Sequence, residues 1–226
     1  MIKENLNPNL DKIQEIKSLA GSIAHETRNP LSAIKGCCEV VKSNLNEAIE
    51  FIDLIAISSN RGLSIIDMIL QNIREEEIDK SLFNNLSIAS IVELAIKEFA
   101  FESEEQKNLI NINLENDFIF KGDKTLMIFV LFNLLKNSLY YKAKINIWLD
   151  DGKKCLYFKD NGVGIPADKL RSIFDSFFTS NKKRGTGLGL PFCKRVMNAF
   201  GGDISCKSKE GEGVKFCLQF LSIEDF

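Results

Sequence analysis

The sequence has few of the residues that build metal centres, disulfide frameworks or membrane spans. It contains one histidine, His25, and six cysteines without a Cys-x-x-Cys pair, which argues against a zinc site. We expect these cysteines to be reduced and mostly buried. No apolar run approaches the roughly 20 residues of a transmembrane helix, and the N-terminus lacks the apolar core of a signal peptide. These absences predict a cytoplasmic chain without a membrane span.

The charge balance excludes a global field of either sign. Twenty-nine basic and thirty-one acidic residues give a formal net charge of −2, so we expect no nucleic-acid partner. The chain has 226 residues and 45% hydrophobic composition, which is enough for two domains with cores. A polar and acidic junction predicts a helical hairpin over residues 1–78 and a second domain over residues 79–226.

A heptad pattern over residues 10–41 predicts a first long helix. His25 falls on the side of this helix opposite the heptad seam, with Asn29 one turn later beside it. We therefore expect the imidazole to face solvent. We also expect Pro30 to kink the helix and residues 42–44 to form a turn. The seam consists of Ile13, Ile16, Ala20, Ile23, Thr27, Pro30, Ile34, Cys37 and Val41.

A second apolar stripe predicts another long helix, antiparallel to the first. Two amphipathic helices do not bury their seam alone, so we predict a homodimer in which two hairpins form a four-helix bundle. The alternative is a hairpin that packs on its own downstream domain. The stripe consists of Ile49, Ile52, Ala56, Ser59, Leu63, Ile66, Leu70 and Ile73.

Mixed periodicity beyond residue 81 predicts both helices and strands. We expect a strand and an amphipathic helix over residues 86–101, a half-buried strand over 110–114 and an apolar helix over 126–141. Strand hairpins are expected at residues 145–159 and 204–220, with a helix at about 191–200. This order predicts an α+β sandwich with its helices layered on one face of the sheet.

Two glycine-rich segments are candidates for nucleotide binding. The first, residues 160–165, follows a predicted strand and leaves the Asp160 carboxylate free to accept a hydrogen bond from an exocyclic amine such as that of adenine. Its Asp-Asn-Gly start is also typical of an ordinary turn. The second, residues 185–190, precedes a helix, where free backbone N–H groups favour anions. Lys182, Lys183 and Arg184 come directly before it, which favours phosphate binding over a simple linker.

Two asparagines, Asn133 and Asn137, lie four positions apart and project from one face of the apolar helix. Amide oxygens suit Mg²⁺, which keeps several waters and bridges phosphates. Asparagines on a helix are commonly just solvated. The location of the two asparagines inside an apolar helix argues against that interpretation, because burying an amide without hydrogen-bond partners costs about 1–3 kcal/mol of stability.

Together these motifs resemble the sensor histidine kinases of bacterial two-component systems. The resemblance extends from about residue 10 to residue 220 and implies a dimeric helical hairpin joined to an ATP-binding α/β sandwich of the Bergerat type. It rests on five signatures in order: the phosphoacceptor box at 25–31, the asparagine box at 133–137, the first glycine box at 160–164, the phenylalanine box at 174–178 and the second glycine box at 185–189.

The resemblance implies an autokinase that uses ATP and Mg²⁺ and also has phosphatase activity. His25 would be phosphorylated, Glu26 would accept its proton, and Asn29 would support dephosphorylation of a partner. Asn137, assisted by Asn133, would hold Mg²⁺. The phosphoryl group would pass to an aspartate of a separate response-regulator receiver domain. The nucleotide site would comprise Asn133, Lys136, Asn137, Tyr141, Asp160, Gly162, Gly164, Ile165, Phe178, Lys182, Lys183, Arg184, Gly185, Thr186, Gly187, Leu188 and Gly189.

Departures from the family pattern are few. Tyr140 stands where lysine is frequent, which leaves Lys136, Lys142 or Lys144 as the substitute, and Val214 replaces a frequent threonine. Some nine residues precede the first predicted helix, so we expect a separate or truncated sensory module.

Two other functions are alternatives to the kinase interpretation. ATPases of the gyrase, chaperone and mismatch-repair superfamily share the implied fold, but they use a glutamate four residues before the metal-binding asparagine, where this chain has Asn133. A non-catalytic dimeric phosphotransfer scaffold would keep the hairpin without the activity. The intact Asp160 and Asn137 argue against it.

Overall fold

Two compact units make up the chain. Residues 1–73 with 176–188 form the hairpin unit, and residues 74–175 with 189–226 form the sheet unit. The computed structural model describes residues 27–43, 51–52, 54–59, 62, 66, 78–99, 101, 103–178 and 187–225. His25, Glu26 and residues 179–186 lie outside the described residues, so the expectations for their side chains stay predictions.

The hairpin unit contains the two predicted helices. Helix α1 covers residues 27–43, and helix α2 is helical at every described position between 51 and 66. A Cβ placed on Gly62 would lie 3.4 Å from Pro30 Cγ, so α1 and α2 approach closely there. The prediction of a turn at residues 42–44 is wrong for residues 42 and 43, because the helix continues through Ser43. The Ser43 hydroxyl donates to the Val40 carbonyl at 2.8 Å.

The sheet unit combines helices with a five-stranded sheet and a separate strand pair. The five strands lie in the order β2-β4-β5-β7-β6, and β1 pairs with β3. Neighbours are antiparallel except β2 and β4, which are parallel. The elements are β1 Asn84–Ser87, α3 Ile88–Glu98, α4 Glu104–Lys107, β2 Ile110–Asn113, β3 Ile119–Gly122, α5 Lys124–Tyr140, β4 Ile145–Asp150, β5 Cys155–Asp160, α6 Gly189–Ala199, β6 Asp203–Ser208 and β7 Val214–Gln219.

Local sequence signals set where α3 and α5 begin. The Ser87 hydroxyl accepts from the Ser90 backbone N–H at 3.1 Å at the start of α3, and the Asp123 carboxylate accepts from that of Leu126 at 2.8 Å at the start of α5. Such side-chain acceptors stabilise a helix start because the first N–H groups have no partner within the helix.

The core lies between the helices and one face of the sheet. Alternate residues of the central strands are buried, as the two-residue period of a strand requires. Residues from α3, α5 and α6 fill the other side of this core. The strand members are Ile145, Ile147, Leu149, Leu156, Phe158, Phe216 and Leu218, and the helix members include Val92, Leu131, Leu134, Phe192 and Val196.

Most predicted elements are confirmed, and so is the α+β class. Strand β3 was not predicted, and β2 pairs in parallel with β4, unlike the strands of the two predicted hairpins, which are antiparallel. The expectation of a half-buried β2 is wrong in part, because Ile112 is 40% exposed. Strand β2 lies at the edge of the sheet, where one neighbour is missing. Helix α6 begins at Gly189, two residues before the predicted start.

The expectation of six reduced and mostly buried cysteines is wrong. Cys155 and Cys217 form a disulfide between β5 and β7, with their Cα atoms 6.4 Å apart. They lie on neighbouring strands with a register offset of two residues, and a separation of 62 residues gives no local sequence signal. Of the four free cysteines only Cys193 is buried.

No helix within the described ranges is both long enough and apolar enough to cross a membrane.

Replacing Phe158 by Ala tests this core. Phe158 is fully buried on the middle strand, so Phe158→Ala should lower the free energy of unfolding by about 3–5 kcal/mol. Urea denaturation followed by the fluorescence of Trp148 on β4 measures the change. Glu93→Ala on the exposed side of α3 is the control and should stay within about 0.5 kcal/mol of the unmodified protein. Equal losses in the two variants would contradict the assignment of the core.

Candidate functional site

Asp160 ends strand β5 and is the buried acid around which the candidate site is built. Only 6% of its surface is exposed. Its Oδ2 accepts from the Ser138 hydroxyl at 2.6 Å, and its Oδ1 accepts from the backbone N–H groups of Gly162 at 2.9 Å and Val214 at 3.2 Å. Three donors from α5, the glycine loop and β7 therefore hold one carboxylate, which is what allows a charge to be buried.

The carboxylate has protein donors that the sequence did not predict, and its contact with a ligand amine stays a prediction. Ser138, which the sequence reasoning missed, lies on the buried side of α5 and reaches Asp160 directly. A carboxylate has about four lone-pair sites and three are used here, so one acceptor position is left for a ligand. Val214 contributes through its backbone, so the lost threonine hydroxyl does not affect this contact.

Glycines close the loop around Asp160. Gly213 has φ +86°, and a side chain there would overlap the Asp160 carbonyl. Gly164 has φ +71°, and a side chain there would overlap the Lys209 carbonyl. The Ser208 hydroxyl links the two loops, because it accepts from the Ile165 backbone N–H at 2.8 Å and donates to the Gly213 carbonyl at 2.7 Å. Gly162 and Gly213 thus contact Asp160, and Ser208 connects the predicted residue Ile165 to Gly213.

The two predicted amides on α5 have different environments. Asn133 is half-buried, and its Nδ2 donates to the Phe129 carbonyl at 2.8 Å. A Cβ atom placed on Gly189 would lie only 2.5 Å from Asn133 Oδ1. The start of α6 therefore packs directly against the Asn133 side chain. Asn137 is exposed, so the argument from an unsatisfied buried amide does not apply to it.

The other predicted residues on α5 are exposed. Lys136 lies beside Asn137, and Tyr141 follows the end of the helix. The rings of Tyr140 and Tyr141 are 4.8 Å apart in an edge-to-face arrangement. These side chains are accessible to a ligand.

The phenylalanine and second glycine boxes are described in part. The Phe177 backbone N–H donates to the Gly187 carbonyl at 3.0 Å, and Gly187 has φ +67° with no space for a side chain against Phe177. Phe178 is half-buried and Leu188 is buried. Lys182, Lys183, Arg184, Gly185 and Thr186 lie outside the described residues, as do His25 and Glu26. On α1, Asn29 is exposed as predicted.

Cys206 is a potential nucleophile near the site, but its thiol stays protonated. Burial, and secondly the charge of Asp160, raise the pKa of Cys206 to about 12. A thiol reacts as its thiolate, so this residue is inert near neutral pH. Within the described residues, no three His, Cys, Asp or Glu side chains cluster as metal ligands.

Two family models match this chain. Residues 15–77 match the His Kinase A (phospho-acceptor) domain, and residues 122–224 match the histidine kinase-, DNA gyrase B- and HSP90-like ATPase domain. The chain belongs to the sensor histidine kinases.

Similar proteins include the CAI-1 autoinducer sensor kinase/phosphatase CqsS of Vibrio cholerae, 34% identical over 92% of this chain. The autoinducer 1 sensor kinase/phosphatase LuxN of Vibrio campbellii is 37% identical over 92% of this chain. This chain spans 34% of the length of CqsS and 26% of that of LuxN.

Solved structures agree with the fold. The catalytic domain of histidine kinase ThkA is similar with a TM-score of 0.51 and 27% identity, covering 61% of this chain and 96% of that domain. Full-length ShkA in complex with AMPPNP has a TM-score of 0.55 at 18% identity, covering 90% of this chain and 45% of ShkA.

A double-mutant cycle tests the Ser138–Asp160 contact. Ser138→Ala removes a donor to a buried carboxylate, and should lower the free energy of unfolding by about 1–3 kcal/mol. The combination with Asp160→Asn should give a coupling energy of about 0.5–3 kcal/mol, measured by thermal and urea unfolding. Ser90→Ala on the exposed side of α3 is the control and should not couple to Asp160→Asn. Strict additivity of Ser138→Ala and Asp160→Asn would refute the contact.

Proposed function

We propose that the chain is the autokinase core of a two-component sensor, which transfers the γ-phosphoryl group of ATP to His25 and then to an aspartate of a separate receiver domain. The observation that carries this proposal is the buried Asp160 with one unused acceptor position at the end of β5. An exocyclic amine of adenine is a donor of the kind that this position takes. The family membership and the order of the five motifs support the same function.

The amides on α5 fit the magnesium ion that this chemistry uses. Asn137 is exposed, and an amide oxygen is a hard ligand of the kind that Mg²⁺ takes while it keeps several waters. We infer that Asn137 holds the ion and that Asn133 assists. When bound, Mg²⁺ offsets negative charge on the phosphates. Lys182, Lys183 and Arg184 are proposed to contact the phosphates, and Tyr141 and Ile165 to line the base.

His25 is proposed as the nucleophile because it is the one histidine of the chain. An imidazole with an ordinary pKa of about 6.5 is largely neutral in the cytoplasm and has a free nitrogen lone pair. That nitrogen attacks the γ-phosphorus in line, a P–N bond forms, and the bond to the leaving ADP oxygen breaks. Glu26 accepts the proton from the other ring nitrogen, so that positive charge does not build up.

Phosphatase activity is part of the proposal. Asn29 is exposed on α1 and stands four residues after His25 in the sequence, and its amide is proposed to orient a water at a phosphorylated receiver. CqsS and LuxN are both named as kinase and phosphatase. A response-regulator receiver domain is therefore the proposed partner of residues 1–78, and residues 79–226 are proposed to deliver ATP.

Hydrolysis of ATP as the main activity fits the site less well. An ATPase of this superfamily needs a general base four residues before the metal-binding asparagine, and here that residue is the neutral Asn133. Its amide nitrogen already donates to Phe129. Asn133 therefore has neither the basicity nor the orientation to activate a water.

Incubation with γ-labelled ATP tests the proposed chemistry. The unmodified chain should gain acid-labile label, and His25→Gln should lose all of it while ADP affinity stays unchanged. Asn137→Asp should reduce labelling and change the Mg²⁺ dependence of nucleotide binding. Release of free phosphate without labelled protein would support the ATPase instead, and no turnover with intact folding would support a scaffold.

We propose further that the chain forms a homodimer through the hairpin. Ile52 and Ile66 belong to the predicted apolar stripe of α2, and they are 55% and 44% exposed in a single chain. Among the described residues of the same helix, the half-buried positions are Phe51, Ile55, Ser58 and Gly62. These positions lie on a different face of α2 from the stripe, and Gly62 among them approaches Pro30 of α1, so the predicted seam is open to a second copy.

Charged substitutions in this stripe should dissociate the dimer. Ile52→Glu with Ile66→Glu should convert a dimer into a monomer at micromolar concentration in analytical ultracentrifugation, because four carboxylates would be buried at the seam. Leu54→Glu with Ile57→Glu is the matched control, since both residues are exposed but lie outside the stripe. A monomeric unmodified chain, or dissociation in both variants, would refute this interface.

A further inference from the structure

Three lysines stand side by side on the face of the five-stranded sheet that lies opposite its buried residues. Lys159 of β5 pairs with Lys215 of β7, and Lys215 pairs with Lys207 of β6. Directly paired residues project to the same face, and neighbouring strands are about 4.8 Å apart. We call these three residues the lysine row. Two exposed asparagines, Asn146 and Asn111, continue it across the remaining strands.

The lysine row brings three positive charges together on one face of the sheet. Within the part of the chain that the structure describes, no ion pair involves Lys159, Lys207 or Lys215. The two acids of this sheet face, Asp150 and Asp203, lie four residues further along the strands and bind Lys153 and Lys194. Like charges directly opposite one another destabilise a sheet, so the row opposes folding in the isolated chain.

An aromatic pair lies next to the row. Trp148 and Tyr157 are cross-strand partners whose rings stack 5.0 Å apart with an interplanar angle of 24°. Lys215 Nζ lies 4.1 Å from the Tyr157 ring centre and 5.0 Å from that of Trp148. One face of each ring is therefore covered by the other ring, and the ammonium group lies beside the pair.

We propose that the lysine row is a docking site for an amphipathic acidic helix of a partner protein. Carboxylates four residues apart on a helix are about 5–6 Å from each other, which matches the spacing of the lysines across the strands. A helix about 10 Å wide that lies along the row covers the edges of Trp148 and Tyr157 with its apolar side. It stops short of Asp150 and Asp203, which lie about 13 Å away along the strands. A broad anionic membrane surface would meet both acids.

Trp148 provides the readout for a direct test, because it is the one tryptophan of the chain. The probe is a synthetic helical peptide of about 20 residues with glutamates every four positions and leucines beside them. Titration into the full chain should change the Trp148 fluorescence with saturation, and added salt should weaken the binding. The same peptide with glutamine in place of glutamate should not bind.

Matched lysine variants assign the binding to the row. Lys159→Gln with Lys207→Gln should weaken peptide binding roughly 2- to 30-fold, as expected for two exposed ion pairs. Lys97→Gln with Lys107→Gln makes the same change of net charge on exposed residues of α3 and α4 and should leave binding unchanged. Both variants should keep nucleotide binding, since none of these lysines belongs to the proposed ATP site.

Three results would overturn the proposal. Equal binding of the glutamate and glutamine peptides would show that charge is not recognised. Equal weakening by the two variant pairs would show that only net charge matters. Row-dependent binding to vesicles of anionic lipid or to single-stranded DNA, without binding of the peptide, would assign the face to a different class of partner.

Discussion

The hydrogen bonds to the Asp160 carboxylate are the constraint on which the sheet unit depends. They join α5 through Ser138, the glycine loop through Gly162 and strand β7 through Val214. A buried carboxylate is tolerated only with such donors, and each donor comes from an element that also lines the proposed nucleotide site. The contacts that allow the charge to be buried therefore also fix its orientation before any ligand binds.

This constraint explains why the glycines around Asp160 are needed. Gly213 lies so close to the Asp160 backbone that no side chain fits there. Gly164 lies equally close to the Lys209 backbone. Both have positive φ angles, which favour glycine. The spacing of glycines in the sequence thus reflects close packing of two loops as much as access for a ligand.

Sequence periodicity predicted the hairpin strands and the three long helices of the sheet unit, because their burial patterns are strong. It did not predict β3, whose four residues contain a charged lysine and a glycine, or the parallel pairing of β2, which depends on distant contacts. The motif residues Asp160, Gly162 and Gly164 were predicted as parts of one glycine loop, in which the Gly162 N–H donates to Asp160, and their binding of a nucleotide stays a prediction. Ser138 was missed because a single hydroxyl on the apolar side of a helix has no motif, and its role appears only when β5 is placed beside α5.

The buried acid and the lysine row lie on opposite faces of the sheet, because successive side chains of a strand point to opposite faces. Asp160 faces the helices, whereas Lys159, its neighbour in the chain, faces the opposite side with Lys215. One face of β5 therefore supplies the buried acceptor of the site, and the other supplies the lysine row. Because successive side chains point to opposite faces, a substitution at Lys159 changes the outer charge without entering the hydrogen bonds of Asp160. A partner on the outer face would still share strands with the nucleotide site, and the backbone of β5 and β7 is the physical link between the two.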